Sequence, residues 1–241
     1  MAARRTDADP GGAPLRAVVS DVDGTLTDVH RRLDAQALDW VRRLESHGIP
    51  VILATGNVLP IALALHRFLG LSGPIVAENG GLVYSNGRGG PRVSRLADRA
   101  VAERAYRRLR RAGLPVRRLF TDRWRESEVA LEPTVSVAAI RRELGDLRVH
   151  VESTGFAIHL METGAGKLPA LERALAPLGL RPTNCVILGD GDNDVDMLRA
   201  AGFGVSFPSG SSRARAAAHY VTRARFGRGF VEGLKASRIL G

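Results

Sequence analysis

Cysteine and aromatic residues are scarce in this 241-residue chain, and both shortages narrow its possible functions. Cys185 is the only cysteine, which excludes an intramolecular disulfide and a zinc site built from several cysteines. Aromatic residues make up 5% of the chain and are not interleaved with basic residues, as they are in surfaces that stack single-stranded nucleic acid. The cysteine usage predicts a reducing, cytoplasmic location.

Long uncharged apolar runs are also missing. No such run approaches the roughly 18 residues that a membrane span requires, so we expect no transmembrane helix. The first sixteen residues lack the apolar segment of a secretory signal, and their Gly, Pro and Ala content predicts a disordered leader over 1–15. Hydrophobic residues still make up 44% of the chain, which is enough for a sizeable core.

Lysine is rare as well, because Lys167 and Lys235 are the only lysines among 35 basic residues. With 25 acidic residues the net charge is +10, and three interpretations of this excess stay open. It can reflect arginine-rich solvated helix faces, an anionic small-molecule substrate, or nucleic acid. The arginines are dispersed along helical segments such as 104–113, which favours solvated helix faces.

Apolar runs alternate with helical, amphipathic segments in both outer parts of the chain. The runs at 15–24, 49–57, 73–81 and 184–194 each end in polar or glycine residues. Buried strands that alternate with helices are typical of a parallel sheet covered by helices. We therefore predict the α/β class, with a Rossmann-like parallel-sheet core formed by 16–83 and 160–241.

The middle of the chain has a different pattern, in which strand-like segments alternate polar and apolar residues. Such alternation is typical of antiparallel sheets with one wet face, so we predict an inserted α+β cap domain over 84–159. Asn86-Gly87 predicts a hairpin turn near its start. The stretch 117–133 predicts an exposed strand.

Carboxylates follow the predicted core strands. Asp21 and Asp23 end the first strand, Thr55 ends the second, and Asp190 and Asp194 follow a later one. Ligands of open parallel sheets bind outside the carboxyl ends of the strands, so these side chains are expected to meet. Carboxylates that lie so near to one another repel. The cluster therefore predicts a hard cation with oxygen ligands, such as Mg²⁺.

Two other ligand-binding motifs do not match the residue spacing of this sequence. A calcium-binding EF-hand loop that begins at Asp190 needs glycine and glutamate where this chain has Val195 and Ala201. The stretch 164–168 resembles a nucleotide-binding P-loop, but Met161 replaces its first glycine and Leu168 replaces its Ser or Thr.

Four motifs in order resemble the haloacid dehalogenase superfamily of phosphatases. The D-x-D-x-T motif is matched by 21–25, the strand-ending Ser or Thr by Thr55, the helix-opening lysine by Lys167, and G-D-x-x-N-D by 189–194. Together with the cap and the stretch "AENGG", they look like the branch that contains sugar-phosphate phosphatases and the archaeal phosphoglycolate phosphatases. The resemblance covers about residues 16 to 234.

The resemblance implies a role for each motif residue. Asp21 would be the nucleophile that becomes an aspartyl-phosphate, and Asp23 the general acid and base. The implied Mg²⁺ ligands are Asp21, Asp23 through its backbone carbonyl, Asp190 and Asp194. The implied phosphate- and substrate-binding residues are Thr55, Gly56, Lys167 and Asn193.

The leading hypothesis is a Mg²⁺-dependent phosphatase that acts on a small phosphorylated acid, 2-phosphoglycolate. Arg123 or Arg125 of the cap is expected to pair with the substrate carboxylate. The alternatives are a sugar-phosphate phosphatase on the same scaffold and a nucleic-acid-binding module with an inactive core. We expect no membrane partner, and a homodimer is one option for the assembly. Turn, packing and core roles are expected for Asp28, Trp124 and His159.

Overall fold

A computed structural model describes residues 13–87, 89–154 and 156–240, so residues 1–12 of the predicted leader lie outside the described residues. Its strands form one sheet of eight strands and one of three. The strands are β1 (Ala17–Ser20), β2 (Val51–Ala54), β3 (Ile75–Ala77), β4 (Leu82–Gly87), β5 (Gly90–Arg95), β6 (Val129–Leu131), β7 (Val149–Ser153), β8 (Ile158–Glu162), β9 (Cys185–Leu188), β10 (Phe203–Ser206) and β11 (Tyr220–Val221).

The large sheet has the strand order β11-β10-β9-β1-β2-β3-β4-β5. Strands β11 to β3 in this order run parallel, whereas β4 and β5 are antiparallel additions at one edge. All four residues of β1 are buried, as expected for a central strand covered on both faces. The predicted α/β class with a parallel core sheet is confirmed.

Six of the described helices cover the two faces of this sheet. The described helices are α1 (Ala35–Ser46), α2 (Leu59–Leu69), α3 (Arg99–Arg111), α4 (Val137–Glu143), α5 (Lys167–Leu175), α6 (Val195–Ala200), α7 (Ser212–Ala217) and α8 (Phe226–Ser237). Val18 of β1 packs in a cluster with residues of α1, α2 and α8, and its neighbour Val19 packs in a second cluster with residues of α5, α6 and α7. The alternation of side chains along one strand thus builds two cores.

The small sheet has the order β6-β8-β7, is antiparallel, and packs with α3 and α4. Its core is a third, separate cluster that includes Leu109, Leu131, Ile140 and Leu160. We refer to residues 98–163 as the cap.

Three predictions about the middle of the chain differ from the structure. Strands β4 and β5 extend the large sheet, so the boundary predicted at 84 falls inside β4 and the one at 159 inside β8. Asn86 pairs with Pro91 and Gly87 with Gly90, so the hairpin connection lies beyond the predicted turn. Alternation predicts a strand but does not say which sheet it joins.

The stretch 117–133 was expected to be an exposed strand, and this prediction was wrong. It contains a turn of 3₁₀ helix over Phe120–Trp124, followed by β6, in which every residue is buried. Of its polar residues, Asp122, Arg125, Ser127 and Glu128 are buried, whereas Arg117, Arg123 and Glu126 are exposed. Among the described residues, no helix has the length and apolar character needed to cross a membrane.

Candidate active site

The ends of three adjacent parallel strands form the centre of the site. Asp21 directly follows β1, Thr55 directly follows β2, and Asp190 comes two residues after β9. Because β1 lies between β2 and β9 and all three run in the same direction, their carboxyl ends share one edge of the sheet. The predicted convergence of these residues is therefore present.

Asp21, Asp190 and Asp194 form an acidic cluster in which one carboxylate oxygen from each lies within 4.8 Å of the others. Burial and the neighbouring carboxylates raise the pKa of Asp21 well above its usual range. Burial, with the charge of Asp194, raises the pKa of Asp190 to about 7. Three crowded oxygen donors whose ionised forms repel one another fit a hard divalent cation.

Lys167, the first residue of α5, is buried beside the acidic cluster. Its Nζ donates to Asp21 Oδ1 at 2.6 Å and to Asp194 Oδ1 at 2.7 Å. Burial alone would lower the pKa of Lys167, but the charges of the two carboxylates raise it above its usual value. The ammonium stays charged and offsets part of the negative charge of the cluster.

The chain turns sharply after β9 and brings Asp194 back to Asp190. Asp194 Oδ2 accepts from the backbone N–H groups of Asp190 (3.1 Å) and Gly191 (2.9 Å). A 3₁₀ turn over Asp192–Asp194 leads directly into α6. The same turn directs Asn193 Nδ2 to Asn79 Oδ1 at 3.0 Å.

The Asp23 carboxylate is not one of the three in the acidic cluster and has its own partners. Asn57 Nδ2 donates to Asp23 Oδ2 at 2.6 Å and to Thr55 Oγ1 at 3.1 Å, so it connects the ends of β1 and β2. Arg31 forms an ion pair with the other oxygen, with Nε 3.3 Å from Asp23 Oδ1. Asn57 is not among the residues predicted from the sequence, although it is one more polar residue after a buried strand.

A second set of buried polar residues, here called the cap–core cluster, joins the cap to the loops after β2 and β3. Asn79 Nδ2 donates to Glu128 Oε2 at 3.1 Å, and Glu128 Oε1 accepts from His159 Nδ1 at 2.9 Å. Nearby, Glu78 Oε2 accepts from Ser127 Oγ at 2.6 Å. The sequence analysis identified none of these contacts. The members of the cap–core cluster are Glu78, Asn79, Arg125, Ser127, Glu128 and His159.

The two glutamates of the cap–core cluster differ in their surroundings. Burial would raise the pKa of Glu128, but the contacts with His159 and Arg125 lower it to about 2. Burial raises the pKa of Glu78, and the charge of Glu128 adds to this effect. His159 is fully buried, as predicted.

The two cap arginines that were expected to meet the substrate have other partners. The Arg125 guanidinium is buried, pairs with Glu128, and donates to the carbonyl oxygen of Gly56 at 3.0 Å. Arg123 lies over the Phe120 ring, with its guanidinium carbon 4.2 Å from the ring centre. The ring of Trp124, which is 46% exposed, packs edge-on against that of Phe120.

A cleft of about 500 Å³ lies between the cap and the large sheet. Asn79, Lys167 and Asn193 line it on the sheet side, and Arg141 and His150 line it on the cap side. Two of the candidate phosphate-binding residues, Lys167 and Asn193, therefore face a space that a small ligand can enter.

Comparisons with known proteins agree with this geometry. The haloacid dehalogenase-like hydrolase family model matches residues 18–121 and 130–232. A protein of Methanothermobacter thermautotrophicus named phosphoglycolate phosphatase is 39% identical over 222 residues, which cover 92% of this chain and 98% of the relative. A phosphoglycolate phosphatase of Methanococcoides burtonii is 37% identical, with 92% and 96% covered. A solved Thermoplasma acidophilum structure is similar with a TM-score of 0.84 and 26% identity, covering 94% of this chain and all of that one.

Proposed function

Because the chain belongs to the haloacid dehalogenase-like hydrolase family, we propose that it is a magnesium-dependent phosphatase that hydrolyses 2-phosphoglycolate to glycolate and phosphate. The observation that carries the proposal is the position of Asp21, buried at the end of β1 between Lys167 and two further carboxylates. The substrate is proposed from the names of the relatives, which are phosphoglycolate phosphatases.

Asp21 is the proposed nucleophile. Its carboxylate attacks phosphorus, the bond from phosphorus to the ester oxygen breaks, and an aspartyl-phosphate forms. Asp23 gives its proton to the departing alkoxide oxygen and then takes a proton from the water that hydrolyses the aspartyl-phosphate. The hydrogen bond from Asn57 supports this role, because it holds the Asp23 carboxylate at the end of β1.

The residues of the acidic cluster fit the metal ion that such chemistry requires. Asp21, Asp190 and Asp194 would hold it through their carboxylates, and Asp23 through its backbone carbonyl. Gly24 supports this arrangement, because a Cβ at this position would collide with the Asp190 carboxylate. When bound there, such a cation would neutralise charge on the nucleophile and the phosphate. Oxygen-only ligands favour Mg²⁺ over zinc or copper.

Four further residues are proposed to bind the transferred phosphate. The ammonium of Lys167 already lies 2.6 Å from the proposed nucleophile, where it can also meet a phosphoryl oxygen. Thr55 Oγ1 and the backbone of Gly56 lie at the end of the adjacent strand. Asn193 is held by Asn79, so its side chain has a defined position beside Asp194.

A substrate screen of the purified protein tests the proposal. We expect Mg²⁺-dependent phosphate release, with kcat/KM higher for 2-phosphoglycolate than for hexose phosphates. Equal or faster turnover of a sugar phosphate would identify that sugar phosphate, and not phosphoglycolate, as the substrate. No phosphate release, together with tight and steeply salt-dependent DNA or RNA binding that Asp21→Asn leaves unchanged, would favour the nucleic-acid-binding alternative. The core and cap domains, a homodimer and a cytoplasmic location stay predictions.

A further inference from the structure

The chemistry of the proposed substrate limits where its carboxylate can bind. In 2-phosphoglycolate a single methylene group joins the ester oxygen to the carboxylate carbon. Asp23 is proposed to protonate that ester oxygen, so the group that binds the carboxylate must lie close to Asp23. A cation that is deep in the cap or remote from Asp23 does not meet this requirement.

Arg31 meets it. Its Nε lies 3.3 Å from Asp23 Oδ1, and its side chain is 52% exposed, so the guanidinium lies beside the proposed acid and is open to solvent. Its guanidinium carbon also lies 4.0 Å from the ring centre of Phe156, in the cap segment between β7 and β8. Arg31 therefore occupies the junction of core and cap at the proposed acid.

The loop between β1 and α1 is built to hold Arg31 in this place. Asp28 Oδ1 accepts from the backbone N–H groups of His30 (2.8 Å) and Arg32 (2.9 Å), and the Arg31 N–H donates to the Asp28 carbonyl oxygen. This turn, which agrees with the role predicted for Asp28, places Arg31 at a φ of 61°. Residues other than glycine rarely adopt that conformation, and where they do it often serves a site.

The other cations of the cleft region are already paired. Lys167 is held by Asp21 and Asp194, and Arg125 by Glu128 and the Gly56 carbonyl. Two more arginines have partners as well: Arg141 donates to the Val151 carbonyl, and Arg213 pairs with Asp192. The Arg31 guanidinium is held by the ion pair of its Nε with Asp23 and donates no hydrogen bond to the residues that the structure describes, so its terminal N–H groups can bind a ligand.

We propose that Arg31 is the residue that selects a substrate with a carboxylate next to its phosphate ester. The planar fork of the guanidinium binds a carboxylate through two parallel hydrogen bonds, which a hydroxyl group cannot reproduce. Phe156 covers one face of the guanidinium and holds its plane when the cap contacts the core. The inference deepens the proposed function and rests on it.

The test compares two substrates of equal length. These are 2-phosphoglycolate and 2-hydroxyethyl phosphate, in which a neutral alcohol replaces the carboxylate. In Arg31→Gln we expect kcat/KM for phosphoglycolate to fall about 30-fold or more, the typical effect of losing a charge-assisted pair. For 2-hydroxyethyl phosphate we expect a change below about threefold, because this substrate makes no such pair. Arg31→Lys should recover part of the loss, since it restores the charge without the fork.

Arg32→Gln is the matched control, because Arg32 is the exposed neighbour in the same turn and contributes only its backbone to it. It removes the same charge from the same loop, and we expect both substrates to keep their wild-type kcat/KM.

Two results would overturn the role of Arg31 but leave the proposed function intact. One is that Arg31→Gln keeps the wild-type preference for phosphoglycolate. The other is an equal loss of kcat/KM on both substrates, which would mean that Arg31 acts through Asp23. If the wild-type enzyme does not prefer phosphoglycolate to 2-hydroxyethyl phosphate, the proposed substrate fails, and the role of Arg31 fails with it.

Discussion

The acidic cluster and the cap–core cluster both contain buried carboxylates, but these carboxylates behave in opposite ways. Burial and the charge of Asp194 raise the pKa of Asp190 to about 7, whereas the contacts with His159 and Arg125 overcome burial and lower the pKa of Glu128 to about 2. The acidic cluster holds three carboxylates against one ammonium. In the cap–core cluster, Glu128 is balanced by Arg125 and His159.

The difference separates two uses of a buried charge. Burial alone disfavours an ionised carboxylate, so a cluster with excess negative charge is unfavourable until a cation or proton binds. A cluster whose charges are paired needs no ligand and can hold two parts of a protein together. We therefore expect substitutions in the acidic cluster to remove activity and those in the cap–core cluster to lower stability.

The largest expected effect is that of Asp21→Asn. Removing the proposed nucleophile should lower kcat about 10⁴-fold. The metal-free variant should be at least as stable as the wild type, because a neutral amide relieves the repulsion that raises the pKa of Asp21. Phosphate-release assays and thermal unfolding in EDTA measure the two quantities. A variant that loses activity because it unfolds would contradict this interpretation.

Next comes Glu128→Gln, which leaves Arg125 and His159 without their carboxylate. Loss of one partner of a buried ion pair costs about 3 kcal/mol, which for a chain of this size lowers Tm by about 6 to 12 °C. Glu172→Gln is the control, because Glu172 is exposed on α5, and its effect should stay within about 0.5 kcal/mol. Equal Tm values for the two variants would show that the cap–core cluster does not stabilise the fold.

Sequence reasoning found the acidic cluster and missed the cap–core cluster for a physical reason. Asp21, Thr55 and Asp190 each end a buried strand, and the parallel order of strands brings their ends together without further information. Glu128 and His159 meet because β6 pairs with β8, and Asn79 reaches Glu128 across 49 residues of chain. Neither contact has a local signature.

The cap arginines illustrate the same limit. Arg123 and Arg125 are two residues apart, yet one lies exposed on an aromatic pair and the other is buried against the core. Arg31 could be recognised only once the fold had placed its turn beside Asp23. The composition indicated that positive charge is present to bind a substrate carboxylate. It did not indicate which of the many arginines supplies that charge.

A smaller effect is expected from adding metal. Mg²⁺ that binds the folded acidic cluster should stabilise the wild type by about 2.7 kcal/mol at 100 times its Kd, or about 5 to 10 °C in Tm. Asp190→Asn should lose most of this shift. Asp196→Asn should retain it, because Asp196 is exposed and lies outside the cluster. Thermal unfolding with Mg²⁺ and with EDTA measures the shift, and equal shifts in all three proteins would place the binding elsewhere.

The smallest expected effect is a dependence on pH that belongs to Glu128. Its pKa in the folded protein is about 2, below the ordinary 4.5, so its ionised form stabilises the fold above pH 4.5, and this contribution disappears as pH falls toward 2. The difference in unfolding free energy between wild type and Glu128→Gln should therefore narrow by about 2 kcal/mol between pH 5 and pH 3. Urea unfolding of both proteins at several pH values measures the difference. If the two curves stay parallel, Glu128 is not held ionised by His159 and Arg125, and the contrast between the two clusters loses its electrostatic basis.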